Sequence, residues 1–171
     1  MMKKYMLFCL FILINFSVSA QDIIASFLEK HGKDDNLEVI TIGKKMMETI
    51  AALTSDNPDL TEAIKGLKMI RIVSSKDSDL NKEYYNSAQK LLSKSKGFEE
   101  FFSMCEEDKE LVVMIRESKK SIKELILLSE QPDGFNLISI NGTIILDDLV
   151  KYSEGLNIKE LNELRSVKRN Q

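Results

Sequence analysis

Apolar and polar positions along the chain fall into three regimes. Tyr5 to Phe16 is apolar without a period, broken only by Asn15. From Asp22 to about Ser93, helical stripes alternate with short β-branched runs; from Phe98 onward the period is two. In the middle regime Ile23, Ile24, Phe27, Leu28 and His31 share one helical stripe, with Gly32 placed to stop it. A polar turn, Lys33 to Asn36, leads into a strand over Leu37–Ile42 and a helix over Gly43–Thr54. Pro58 suits the first turn of a short helix ending near Lys65. Leu67–Val73 reads as a second strand. Asp79–Ser93, with Leu80, Tyr84, Ala88, Leu91 and Leu92 on one side, reads as an amphipathic helix.

The last regime predicts four strands: Phe98–Glu106, Leu111–Ile115, Ile122–Glu130 and Phe135–Ile140. Short polar turns separate them, Pro132-Asp133-Gly134 being the clearest, so the expected arrangement is an antiparallel meander. Leu125 and Leu127 alternate with Ile126 and Leu128, which makes the third meander strand apolar on both faces and therefore central. Asn141-Gly142 is expected to end the last strand, with Thr143 capping a helix through Tyr152. The predicted class is α+β: a mostly antiparallel sheet with a C-terminal four-stranded meander, its helices packed mainly on one face. Residues 21–155 form the single expected domain, and 156–171 a weak helix and tail.

The unpatterned first regime has another explanation. Lys3 and Lys4 precede it, and Ser17-Val18-Ser19-Ala20 follows with small residues where a signal peptidase cuts. Residues 1–20 are therefore expected to be a cleaved leader. The run falls short of the roughly 20 apolar residues a membrane-spanning helix needs. The product is expected to be exported, soluble, and periplasmic or secreted.

Export changes what the composition means. The chain carries 24 basic and 27 acidic residues in 171, a net charge of −3. Loss of Lys3 and Lys4 with no acid makes the product more acidic, which argues against a nucleic-acid partner. Cys9 leaves with the leader, so Cys105 is alone and no internal disulfide can form. Stability must then come from the core, for which 43% hydrophobic residues suffice. The absence of Trp leaves little for an aromatic carbohydrate platform.

Several stretches together resemble one known family. They are Val39-Ile40-Thr41-Ile42-Gly43-Lys44-Lys45-Met46, then Ile64 to Val73, Glu110 to Glu130, and Ile138 to Ile144 with Leu146 and Leu149 beyond. In this order they resemble the DUF4252 family, small exported Bacteroidota proteins of unknown function. The resemblance implies a signal peptide, an envelope location and an α+β fold, and it brings no catalytic residues. Some relatives look like lipoproteins; this chain lacks the small-residue box before a cysteine that lipid attachment requires.

Candidate chemistry is sparse. His31 is the single histidine, suited to a helix C-terminus where positive charge is welcome. One His and one Cys cannot dominate a zinc site. The acidic clusters Asp34-Asp35, Glu106-Glu107-Asp108 and Asp147-Asp148 lack the alternating spacing of a calcium loop. No metal, cofactor or catalytic residue is therefore assigned. Cys105, among Phe and Met and beside glutamates, reads as a buried, inert thiol. Gly142-Thr143 is a weak anion corner, better explained by capping.

The expected function is a non-catalytic binding or sensory accessory domain with an envelope protein as partner. The candidate partner surface is the helix-free sheet face bearing Val112, Met114 and Arg116, since arginine among apolar residues is a common interface anchor. A second candidate is the helix with Met46, Met47 and Ile50. Alternatives are a hydrolase in which Glu124, Asp147 and a further carboxylate converge, and a carrier of an apolar ligand.

Overall fold

A computed structural model describes residues 22–118 and 121–145. The expected leader, the Asp147–Asp148 pair and the closing helices lie outside these residues. Four helices and six strands follow in the order α1 (Ile23–His31), β1 (Glu38–Gly43), α2 (Lys44–Leu53), α3 (Pro58–Lys65), β2 (Leu67–Ser75), α4 (Ser78–Lys94), β3 (Glu99–Glu106), β4 (Lys109–Ser118), β5 (Ser121–Gln131) and β6 (Gly134–Ile144). The class is α+β.

Local chemistry sets the helix ends. The Asp22 side chain accepts from the Ala25 N–H at 3.0 Å, and the Gly32 N–H closes α1 on the Leu28 carbonyl. Asn57 caps α3 ahead of Pro58, and Asp77 caps α4. The strands form one antiparallel sheet in the order β1-β2-β6-β5-β4-β3. β3 to β6 are the meander, with Glu106 opposite Lys109, Ser118 opposite Ser121 and Gln131 opposite Gly134 at its three turns. β5 is interior, as its two-sided apolar pattern requires.

Helices lie on both faces of the sheet, a more even distribution than the one-face expectation. α1 and α4 bury Ile24, Phe27, Tyr84, Tyr85 and Leu92 against Val73, Ile126, Leu128, Phe135 and Leu137. On the other face, Met47, Ala51, Ala63 and Ile64 of α2 and α3 join Ile70, Val113, Leu125, Leu127, Ile138 and Ile140. The physical reason is that β5 and β6 are apolar on both sides, so each side needs cover.

One element ends differently from expectation. β6 does not stop at Asn141-Gly142 but runs to Ile144, with Gly142 opposite Leu67 and the Thr143 N–H donating to the Gly66 carbonyl at 2.8 Å. Thr143 is thus a strand residue rather than a helix cap. Among the described residues, no helix is long and apolar enough to cross a membrane.

Candidate functional site

Val112, Met114 and Arg116 alternate along β4 as expected, and they project to the face that α1 and α4 occupy. Val112 and Arg116 are half-buried, and Met114 packs against the α1–α4 core. Arg116 lies opposite Glu124, with its Nη1 3.5 Å from Glu124 Oε2, and its guanidinium sits 4.2 Å from the centre of the Phe98 ring. Ser139 donates to Glu124 Oε1 at 3.3 Å, and Asn141 donates to Ser139 at 2.8 Å. Arg71, opposite Ser139, donates to Asp22 at 2.5 Å. The result is a polar end to an otherwise apolar face, not an open patch.

The two carboxylates of this cluster shift in opposite directions. Burial pushes the Glu124 carboxyl up, and attraction to Arg116 only partly opposes it. Burial also pushes Asp22 up, but hydrogen bonds from Arg71 and the Ala25 N–H outweigh it and hold that carboxyl low. Nε of Arg71, and Nε and Nη2 of Arg116, are buried without an acceptor.

A pH dependence follows for Glu124. A raised pKa means the folded state holds this proton more tightly than the unfolded chain does. Its favourable contribution is therefore present below the ordinary value of 4.5 and is lost as pH rises through the raised one. Glu124→Gln should accordingly gain stability relative to wild type as pH is raised from about 4.5 toward neutrality. Urea titrations of both proteins across that range check it; a stability difference independent of pH counts against a raised Glu124.

The only histidine is not isolated. His31 Nε2 lies 2.8 Å from Ser87 Oγ on α4, and Lys30 donates to the same oxygen at 3.1 Å. Sequence spacing hides this pair, because its members are 56 residues apart. Burial and then the Lys30 charge push the imidazole down, and its ring centre lies 4.8 Å from that of Phe27, the two planes tilted by 30°. A hydroxyl–imidazole pair needs an orienting carboxylate to act as a nucleophile and base. The neighbouring Asp34 is otherwise engaged, accepting from the Tyr84 hydroxyl and from the Asn36 N–H. The pair reads as a clasp between α1 and α4. Among the described residues, no three His, Cys, Asp or Glu side chains are grouped to hold a metal.

Cys105 corrects an expectation: it is exposed on β3, opposite Glu110. β3 is an edge strand, and the Phe and Met neighbours of Cys105 reach the core only in part. A thiol-reactive dye should therefore label native and denatured protein at comparable rates. Labelling only after denaturation would mean that the thiol is covered.

A polar cleft of about 330 Å³ opens at the end of the α2–α3 face. Its floor is a cross-strand row, Ser74, Asn136, Ser129 and Leu111, and Lys76, Lys109 and Asp133 stand around it. Ser129 Oγ is buried there without a hydrogen-bond partner. Lining of this kind suits a small polar molecule rather than an apolar one.

The largest apolar exposure lies elsewhere. Of the six large hydrophobic side chains exposed among the described residues, Val39, Ile40, Met46 and Leu53 belong to the consecutive elements β1 and α2. Of the methionine pair, Met47 is core while Met46 is 55% exposed. Met46, half-buried Ile50 and Leu53 are spaced i, i+4 and i+7, one stripe along α2.

A family model for a domain of unknown function, DUF4252, matches residues 29–152. The match takes in every strand of the sheet, all of α2, α3 and α4, and part of α1. No curated protein and no solved structure matches.

Proposed function

The chain belongs to the DUF4252 family, and we propose that it serves as an exported, non-catalytic binding domain of the cell envelope that works through the surface formed by β1 and α2. The observation that carries this reading is that four of the six exposed large hydrophobic side chains among the described residues fall on an edge strand and the helix that follows it, Ile40, Met46 and Leu53 with Val39 on the strand's opposite face. Exposed apolar side chains scattered singly need no explanation, whereas their concentration on two consecutive elements points to an interaction site. Export rests on the leader-like residues 1–20. The absence of catalysis rests on Glu124 being tied to Arg116 and Ser139, and on Asp34 being tied to Tyr84.

The test is site-specific photocrosslinking in intact cells. A photoreactive residue in place of Val39 should form a defined adduct, and one in place of the exposed Lys90 on α4 should not. N-terminal sequencing of the exported product should begin at Gln21. No adduct from position 39, or adducts equal from both positions, sinks the surface; mature protein retaining Met1 sinks the export.

The polar cleft favours a second reading, a receptor for a small polar ligand. Saturable heat of binding with a panel of sugar acids, lost in Ser129→Val, would favour it over the protein-contact reading.

A further inference from the structure

We propose that two copies of this chain join edge to edge through β1, antiparallel about a twofold axis normal to the sheet. This rests on the reading of the β1–α2 surface as the contact surface and names its occupant.

The sheet has two edges, and they differ. β3 carries Glu99, Glu100 and Glu106, and its register slips between Glu100 and Phe102, a bulge that spoils a straight edge. Charges and bulges are the usual devices that block strand addition. β1 has neither between Val39 and Ile42, and its six residues pair with β2 without a register shift. Among the described residues no strand pairs with its outer backbone groups, so they present a regular ladder that a further strand can complete.

Self-pairing fits this strand for three reasons. A twofold axis normal to the sheet keeps each face continuous, so residues of the same parity meet. Centred on Ile40, the register sets Ile40 opposite its own copy, Val39 opposite Thr41, and Glu38 opposite Ile42. The two Glu38 carboxylates are then apart, and each lies toward the strand end from which Lys44 and Lys45 of the other copy follow. That arrangement is complementary in charge. Pairing through β3 would instead gather its glutamates.

The strand alone is too small, since six residues span about 20 Å and a stable interface covers about 800 Å² on each partner. α2 adds to it. It packs against β1 on the face to which Ile40 projects, and its exposed Met46 and Leu53 extend the apolar surface there.

The test uses the mature exported protein in sedimentation across a wide concentration range. Wild type should run as a two-copy species that dissociates on dilution. Ile40→Lys should weaken association by at least about tenfold, through loss of apolar contact and like charges meeting on the axis. Its circular dichroism should not change, because Ile40 is half exposed. Ile40→Glu should be equally weak alone, while an equimolar mixture of the two variants should recover the two-copy species. In a Cys105→Ser background, Ile40→Cys should form an interchain disulfide.

A wild type that stays single at every concentration, or a two-copy species indifferent to Ile40→Lys, overturns the proposal. So does linkage through native Cys105, which lies on the other edge. If wild type is single but position 39 captures a different envelope protein, pairing between copies falls and the binding-surface reading survives. If wild type is single and position 39 captures nothing, both fall.

Discussion

Replacing Gly142 with alanine is expected to cost more stability than almost any other single-methyl addition to this chain. Gly142 sits within β6 at φ +155°, a backbone conformation that side chains rarely adopt. A Cβ there would lie 2.5 Å from the Gly66 carbonyl oxygen and 2.7 Å from Leu67 Cα. Those atoms are backbone and cannot rotate away. Gly66 is constrained reciprocally, since a Cβ on it would approach the Thr143 carbonyl oxygen to 2.7 Å. The two glycines let the start of β2 and the end of β6 touch, where the Thr143 N–H bonds the Gly66 carbonyl and the register slips between Leu67 and Met69. Backbone strain of about 1–3 kcal/mol adds to overlap of about 1–3 kcal/mol. The urea midpoint of Gly142→Ala should fall accordingly, with an unchanged slope. A loss below about 0.5 kcal/mol, the scale of neutral surface changes, would mean that the close approach is not made.

Leu127→Ala is expected to rival it by a different route. Leu127 is fully buried on interior strand β5, opposite Val113 on β4 and Ile138 on β6, both in the same cluster. Two flanking strands hold the backbone in place, so the site cannot collapse around the missing atoms. Deep leucine-to-alanine changes of this kind cost about 2–5 kcal/mol. Thermal and urea unfolding measure it, and a loss under about 1 kcal/mol would place this segment at a surface. Leu127 differs from Ile40 in this respect: both are aliphatic strand residues, but Ile40 sits on an edge and half in solvent.

How much of this was legible in advance can be followed residue by residue. The interior position of β5 was, because Leu125 to Leu128 are apolar at every step and only a strand covered on both faces tolerates that. Helices on both faces follow from the same residues, since a strand apolar at every step needs cover on each side. The Gly142 conformation was not legible. Asn-Gly ordinarily marks a turn, and only the long-range meeting with Gly66 makes it a strand position. Cys105 failed for a related reason. Its neighbours are apolar, but a strand's burial depends on its place in the sheet, and β3 lies at the edge. His31 with Ser87 was likewise beyond reach, since a hydrogen bond between residues 56 apart leaves no local pattern. Met46 and Met47 looked alike in the chain, and one helical step of 100° sends the second to the core and the first to solvent.

By itself the chain determined what depends on periodicity and neighbours: the strands and most of the helices in order, the stop at Gly32, Pro58 in the first turn of a helix, the short polar turns of the meander, and the family to which the pattern belongs. Only the tertiary structure decided which strands became edges, which charges were buried together and which apolar residues were left outside. Those properties are set by contacts between residues far apart in sequence, and local propensity carries no information about them.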